Sequence, residues 1–237
     1  MGVYDNVEGV VRKSMVMIFL IDTSGSMEGR SIAAVNDAMR EVIPDVKDIS
    51  NKNADTNIKF AVMTFSSGTN WETPEPVELD SYKWTDLCAG GTTDMGEAFE
   101  ELNSKLSRNS FLQDPAGVKA PVIILLSDGE PTDDYKAGLK LLQQNKWFKR
   151  GIKIALGVDD ANMDVMSEFT GSKESAIYLR DKSLLKKLIH VVSVTSSTVA
   201  SQKIGDGEDD AATAQETVAD TVREAILDLD PEADEDW

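Results

Sequence analysis

Residues 15–26 of the chain read MVMIFLIDTSGS. The first seven of them are apolar without a break, which is typical of a strand buried on both faces of a parallel sheet. Polar and small residues follow at once, so we expect the strand to end near Ile21 and a turn to begin at Asp22. In open α/β sheets, ligands bind beside turns of this kind, at the carboxyl ends of the strands. The stretch therefore predicts a central strand with a candidate binding site at its end.

Strand and helix patterns alternate along most of the chain. Further strands are predicted at residues 57–65, 77–79, 121–126, 152–158 and 176–179. Helices are predicted from the spacing of apolar residues at 31–46, 95–106, 134–147, 163–169 and 185–192. Such alternation requires right-handed crossovers and places helices on both faces of one sheet. We expect a doubly wound, Rossmann-like α/β fold with a mostly parallel six-stranded sheet, in which segment 77–79 is a short antiparallel edge strand.

The composition changes after Ser201. Thirteen acidic and two basic residues between Lys203 and Trp237 give this segment a net charge of −11, out of −18 for the chain. A helical apolar stripe also occurs here, with Asp210 as its expected N-cap, formed by Val218, Val222, Ile226 and Leu229. We predict a body over 14–200 and an acidic C-terminal tail with an amphipathic helix over 201–237. The stripe is compatible both with docking on a partner and with a solvated tail.

The charge and the cysteine content bear on partners and compartment. A chain this acidic disfavours nucleic acid and anionic membranes and favours divalent cations and basic protein surfaces. The first apolar run is too short to span a bilayer, and Asp22 follows it in place of a cleavage site. The single cysteine, Cys88, is expected to be a small buried filler and fits a reducing compartment. We expect a cytoplasmic protein.

Three polar clusters are predicted at strand ends or beside the sheet. They are Asp22–Ser26, Gly90–Thr93 and Ser127–Glu130. The clusters offer hydroxyl and carboxylate oxygens but no nitrogen or sulfur ligand, and such a set selects a hard cation: Mg²⁺, Mn²⁺ or Ca²⁺. Because most of these donors are neutral, a bound ion would stay electron-poor and keep a position open for an external carboxylate.

The three clusters together resemble the metal-ion-dependent adhesion site of von Willebrand factor A domains. The likeness consists of D-x-S-x-S after the first strand, a threonine after Gly-Gly, and an aspartate ending a later strand. It implies that Ser24, Ser26 and Thr92 bind the ion directly, while Asp22 and Asp128 act mainly through bound waters. Thr93 competes with Thr92 for its role, and Thr92 is preferred because it directly follows the two glycines. Mg²⁺ is the expected ion.

Two further runs are similar to a narrower bacterial branch, the TerY-like proteins linked to tellurium resistance. They are LLSDGEPTDD at 125–134 and GVDDANMDV at 157–165. The resemblance implies a stress-response or phospho-signalling context, and partners such as a kinase or a PP2C-type phosphatase.

Three functions are open at this point. The first is a metal-dependent module that binds an Asp or Glu of a partner protein. The second is a metal-dependent phosphoesterase with Glu130 or Asp94 as general base; it is disfavoured because Ser24 stands where a phosphoaspartyl enzyme needs a second Asp, so we expect no enzyme. The third is a scaffold that acts through the tail helix. Trp71 and Trp84 suit either partner anchoring or packing.

Overall fold

The structure, a computed structural model, describes residues 12–128, 130–158, 160–179, 182–201 and 207–229. Within these residues the sheet has seven strands: β1 (Lys13–Asp22), β2 (Thr56–Ser66), β3 (Gly68–Trp71), β4 (Val77–Glu78), β5 (Val122–Ser127), β6 (Ile152–Val158) and β7 (Ala176–Leu179). The helices are α1 (Arg30–Lys52), α2 (Met95–Lys105), α3 (Tyr135–Leu142), α4 (Lys146–Arg150), α5 (Met163–Thr170), α6 (Leu185–Ser201) and α7 (Glu208–Leu229). None of these helices combines the length and the apolarity that crossing a bilayer requires.

The order of the strands in the sheet is β3-β2-β1-β5-β6-β7, with β4 also paired to β2. Strands β2, β1, β5, β6 and β7 are parallel, whereas β3 and β4 run antiparallel to β2. The chain goes from β1 to β2 on one side and later returns to β5 on the other side, so the winding reverses at β1. The expected doubly wound α/β fold is confirmed, and its switch point lies between the ends of β1 and β5.

Strand β1 divides the interior into two cores. Met15, Met17, Phe19 and Ile21 face the core that α1, α6 and α7 cover. The intervening residues 16, 18 and 20 face the core that α2, α3, α4 and α5 cover. Because both faces are covered, every position from Met15 to Ile21 is apolar, which explains the unbroken run in the sequence.

Several expectations about the elements were wrong. The sheet has seven strands instead of six, because the short polar segment Gly68–Trp71 forms a hairpin with β2 and has no strand pattern of its own. The helix expected over 134–147 is two helices, since the Asn145 side chain accepts hydrogen bonds from the N–H groups of Trp147 and Phe148 and starts a new helix there. Helix α6 continues to Ser201, beyond the expected residue 192.

Helix α7 packs against the body. Val218 and Val222 are fully buried in the first core, while the side chains of Ile226 and Leu229 lie outside the described residues. The helix begins at Glu208, so Asp210 lies in its first turn and is not the N-cap. The apolar side of the predicted tail helix is therefore covered by the chain's own body at these two valines. The division of the chain at residue 201 stays a prediction.

The structure also shows where Cys88 and His190 lie. The expectation that Cys88 is buried was wrong, since it is exposed. His190, the only histidine of the chain, lies on α6, and its Nε2 is 2.6 Å from an oxygen of Asp45 on α1. His190 thus connects α6 to α1 and lies outside the three polar clusters.

If α7 is part of the core, Val218→Ala should lower the free energy of unfolding by about 2 kcal/mol, because it removes two buried methyl groups and leaves a cavity. Thr217→Ala is the matched control, since Thr217 is exposed on the same helix. Urea unfolding of both variants measures the difference. Equal and small effects would mean that α7 does not contribute to the stability of the body.

Candidate metal centre

Asp22 ends β1 and is fully buried. One of its oxygens accepts a 2.8 Å hydrogen bond from the N–H of Ser24, and the other accepts a 2.5 Å bond from the hydroxyl of Ser127 at the end of β5. Burial raises the pKa of Asp22 above its ordinary value, and the hydrogen bonds from Ser127 and Ser24 act in the opposite direction. The carboxylate thus joins the two strands that flank the switch point.

The first and third polar clusters meet beside Asp22. The hydroxyls of Ser24 and Ser26 lie 2.9 Å apart, and the Ser26 hydroxyl donates a 2.6 Å hydrogen bond to Asp128. Ser24 and Asp128 are buried, whereas Ser26 is exposed. Four of the five expected site residues are therefore in one hydrogen-bonded cluster that opens to solvent at Ser26. Gly129, which belongs to the third cluster, lies outside the described residues.

The second cluster is tied to the first by its backbone. The N–H of Gly90 donates to the carbonyl of Thr23 at 2.7 Å, and the N–H of Gly25 donates to the carbonyl of Gly91 at 3.0 Å. Thr92 comes next and is exposed. Its hydroxyl is 2.9 Å from that of Ser67 and donates to Asp94 at 3.1 Å, so its role as a direct ligand stays a prediction.

Thr93 is the less suitable of the two threonines. It is buried, and its backbone exchanges hydrogen bonds with Thr132, whose hydroxyl accepts from the N–H of Thr93 at 3.0 Å. Thr92 is the one exposed beside the glycines. This geometry supports the preference for Thr92.

The cluster fits a small hard cation. The hydroxyls of Ser24 and Ser26 are hydrogen-bonded at 2.9 Å, and two ligands at adjacent corners of an octahedron with bonds of about 2.0–2.1 Å lie about the same distance apart. Because the Ser26 hydroxyl donates to Asp128, Ser24 is the donor between the two serines, and at least one lone pair of each hydroxyl oxygen remains for an ion. Among the described residues, no three His, Cys, Asp or Glu side chains are grouped closely enough to hold a metal. The oxygens that meet here belong to the hydroxyls of Ser24 and Ser26 and to the carboxylates of Asp22 and Asp128.

A family model described as von Willebrand factor type A domain matches residues 17–191, which is most of the chain. The chain belongs to the von Willebrand factor type A family. Among curated proteins, inter-alpha-trypsin inhibitor heavy chain H3 from Bos taurus is 30% identical over 127 residues, which are 51% of this chain and 13% of that protein. This chain thus corresponds to a small part of that relative's length.

Solved structures show the same fold. A von Willebrand factor type A structure from Catenulispora acidiphila has a TM-score of 0.57 at 18% identity, over 78% of this chain and 43% of that one. Proximal thread matrix protein 1 from the mussel byssus, solved with zinc in its MIDAS motif, has a TM-score of 0.56 at 19% identity, over 80% and 47% of the two chains. At these identities the likeness concerns the fold alone.

Carboxylates surround the cluster of this VWA domain. In each of the three loops, an acidic residue follows the expected ligand at a distance of two residues. These are Glu28 after Ser26, Asp94 after Thr92 and Glu130 after Asp128. In the part of the chain that the structure describes, the ion pairs of lysine and arginine involve other acids. The three loops thus carry an excess of acidic residues, which favours cations.

Several residues and contacts of the site were not predicted. Ser127 was predicted as part of the third polar cluster, but its hydrogen bond to Asp22 was not. Ser67 bonds to Thr92 but belongs to a hairpin without a strand pattern. Asn36 lies within the apolar stripe of α1, and a polar residue at such a position was the signal that could have identified it. Trp71 and Trp84 donate their indole N–H groups to Glu101 and Asn36 and are partly buried.

Gly91 is predicted to be irreplaceable at its position. Its φ is 96°, and a Cβ there would lie 2.7 Å from the hydroxyl oxygen of Ser67. Gly91→Ala should therefore lower the free energy of unfolding by more than the roughly 1 kcal/mol that a positive φ alone costs, and should displace Thr92. Urea unfolding measures the first effect.

Gly117→Ala is the control for this substitution. Gly117 has a similar φ of 99°, but a Cβ there would meet only the Lys13 side chain, at 3.6 Å or more. If the two variants lose the same stability, the contact with Ser67 is not a constraint.

Proposed function

We propose that this VWA domain is a metal-dependent protein-interaction module that binds a carboxylate of a partner protein through one divalent cation. The observation that carries the proposal is the meeting of Ser24, Ser26 and Asp128 at the switch point of the sheet, with the two serine hydroxyls 2.9 Å apart, close enough to share one small cation. Ser24, Ser26 and Thr92 would hold the ion, and Asp22 and Asp128 would orient hydroxyls and waters around it. The cation supplies Lewis acidity for one further oxygen ligand.

Mg²⁺ is the proposed ion, with Mn²⁺ and Ca²⁺ as alternatives. The donors are all oxygen, which suits these hard cations better than zinc. The zinc in the MIDAS motif of the mussel byssus protein supports divalent binding at a motif of this kind without deciding which metal belongs here. Buried Asp22 and Asp128 supply negative charge, so a divalent ion would leave the cluster close to neutral.

Ser26→Ala should weaken Mg²⁺ binding by at least about ten-fold, because a direct oxygen donor and the hydrogen bond to Asp128 are both lost. Isothermal titration calorimetry with MgCl₂ and MnCl₂ measures the affinity. Ser104→Ala is the matched control, since the Ser104 hydroxyl is exposed on α2 and bonds only to Glu101. Wild-type protein that binds neither ion would contradict the proposal.

The same protein should not turn over phosphoesters. Glu130 receives two hydrogen bonds from Asn162, and Asp94 accepts from Gly68, Thr92 and Thr132. Both candidate general bases therefore already accept hydrogen bonds from neighbouring residues. Hydrolysis of 4-nitrophenyl phosphate that requires Mg²⁺ and is lost in Ser26→Ala would favour the phosphoesterase instead.

The charge around the site indicates what flanks the partner's carboxylate. Glu28 and Glu130 are exposed at the rim, so an acidic residue among other acids would be repelled. A carboxylate flanked by lysine or arginine would be attracted by the rim and bound by the metal. The partner is therefore proposed to present an Asp or Glu in a basic setting.

Two synthetic peptides test this partner chemistry in the presence of Mg²⁺. Each has one central Asp, flanked in one by lysines and in the other by glutamates. The lysine peptide should bind more tightly by about 1 kcal/mol, roughly five-fold, and the difference should shrink at high salt. Fluorescence anisotropy of labelled peptides measures both affinities.

Glu28→Lys should reduce the preference, and Glu216→Lys on α7 should not, because Glu216 is exposed beside Gln215 at the opposite end of β6. Equal binding of the two peptides would refute the basic setting. Binding of the lysine peptide that persists in EDTA would refute the metal-dependent mode.

The tail-helix scaffold has less support. Val218 and Val222 are buried on the body and are not available to a partner, which leaves the acidic outer side of α7. The setting is proposed from the TerY-like runs at 125–134 and 157–165: a cytoplasmic protein of a bacterial stress response linked to tellurium resistance or of phospho-signalling, with a kinase or a PP2C-type phosphatase as partner.

A further inference from the structure

Asn36 is a buried polar residue in an apolar setting. It lies on α1, in the side of that helix which packs against the sheet, and is 7% exposed. Its neighbours Val35 and Met39 are fully or almost fully buried members of the first core. Burying a carboxamide in such surroundings is costly unless its hydrogen bonds are made, so the bonds of Asn36 indicate what it does there.

The carboxamide forms two hydrogen bonds with the backbone of one residue, Leu87, in the loop that leads to Thr92. Its Nδ2 donates to the carbonyl of Leu87 at 3.0 Å, and its Oδ1 accepts from the N–H of Leu87 at 2.8 Å. The same Oδ1 accepts from the indole N–H of Trp84 at 3.1 Å. Both backbone groups of Leu87 are thereby paired with a single side chain, which only a group that both donates and accepts can do.

Helix α1 is also the continuation of the first metal loop. It begins at Arg30, four residues after Ser26, and Leu87 lies five residues before Thr92. Residues 81–94 form no helix or strand, so their position depends on tertiary contacts. The two loops are joined by their backbones near the candidate metal site and by Asn36 at α1.

The geometry points to Asn36 as a positioning residue of the metal centre, which fixes the Thr92 loop to the helix that follows Ser24 and Ser26. This inference rests on the proposed function, since it concerns how two loops are held at the spacing that one cation requires. Asn36 itself bonds to none of the expected ligands. It acts through Leu87 and sets where the chain runs on to Thr92.

The test compares Asn36→Asp with wild-type protein. Aspartate has the same shape and still accepts from Leu87 and Trp84, but it cannot donate and sets a negative oxygen against the carbonyl of Leu87. We expect the Mg²⁺ dissociation constant to rise about ten-fold, in line with losses at groups that orient metal ligands. Calorimetry with MgCl₂ measures it, and hydrogen–deuterium exchange without metal should become faster at residues 86–92.

Two further variants separate positioning from general destabilisation. Asn145→Asp removes a comparable side-chain amide donor elsewhere, since Nδ2 of Asn145 donates to the carbonyl of Leu106 at 3.1 Å. This variant should lower thermal stability but leave the Mg²⁺ affinity and the exchange at residues 86–92 unchanged. Trp84→Phe removes one hydrogen bond to Asn36 and keeps the two bonds between Asn36 and Leu87. The Mg²⁺ affinity of this variant should therefore stay close to that of the wild type.

The outcomes are distinguishable. Unchanged Mg²⁺ affinity in folded Asn36→Asp would overturn the positioning role and leave the proposed function intact. An equal loss of affinity in Asn145→Asp would overturn it as well, because the effect would then be one of stability. Wild-type protein that binds no Mg²⁺ would overturn the proposed function. Hydrogen–deuterium exchange at residues 86–92 that is the same in Asn36→Asp and in the wild type would show that Asn36 does not fix this loop.

Discussion

The buried carboxylate of Asp22 is the contact on which the arrangement at the switch point depends. Taking a carboxylate out of water is unfavourable unless it is paired or hydrogen-bonded, and here both oxygens accept bonds, from Ser24 and from Ser127. These bonds require β1 and β5 to lie side by side in one register, with Ile21 opposite Leu126. The register in turn brings Asp128, the residue after Ser127, beside Ser26.

A hydroxyl-rich cluster inside an acidic rim gives the site two separate properties. Serine and threonine oxygens are neutral, so a cation held by them keeps more of its charge for an outside ligand than one held by a carboxylate cage. The carboxylates of Glu28 and Glu130 stand further out and raise the local concentration of cations. In the proposed function, different residues would thus attract the ion and leave it reactive toward a ligand.

Helix α1 connects the site to the rest of the fold. It follows the loop of Ser24 and Ser26, holds Leu87 through Asn36, and packs against α6 with His190 beside Asp45. Helix α6 in turn packs on α7, whose Val218 and Val222 extend the same core. Helix α7 is therefore part of the core behind the candidate metal site, although it lies beyond residues 17–191, the part that the family model matches.

The sequence alone determined the fold class and the composition of the candidate site. Unbroken apolar strands and amphipathic helices are properties of local pattern, and D-x-S-x-S is contiguous, so both are evident from the order of the residues. Strand β3 depends on its pairing with β2, which leaves no periodic signal, whereas the break between α3 and α4 comes from a local cap at Asn145. Like β3, Ser67 and Asn36 depend on tertiary contacts, since their partners lie 25 and 51 residues away along the chain. Only the folded chain brings such residues together, because hydrogen bonds between distant segments depend on the packing of the sheet and its helices.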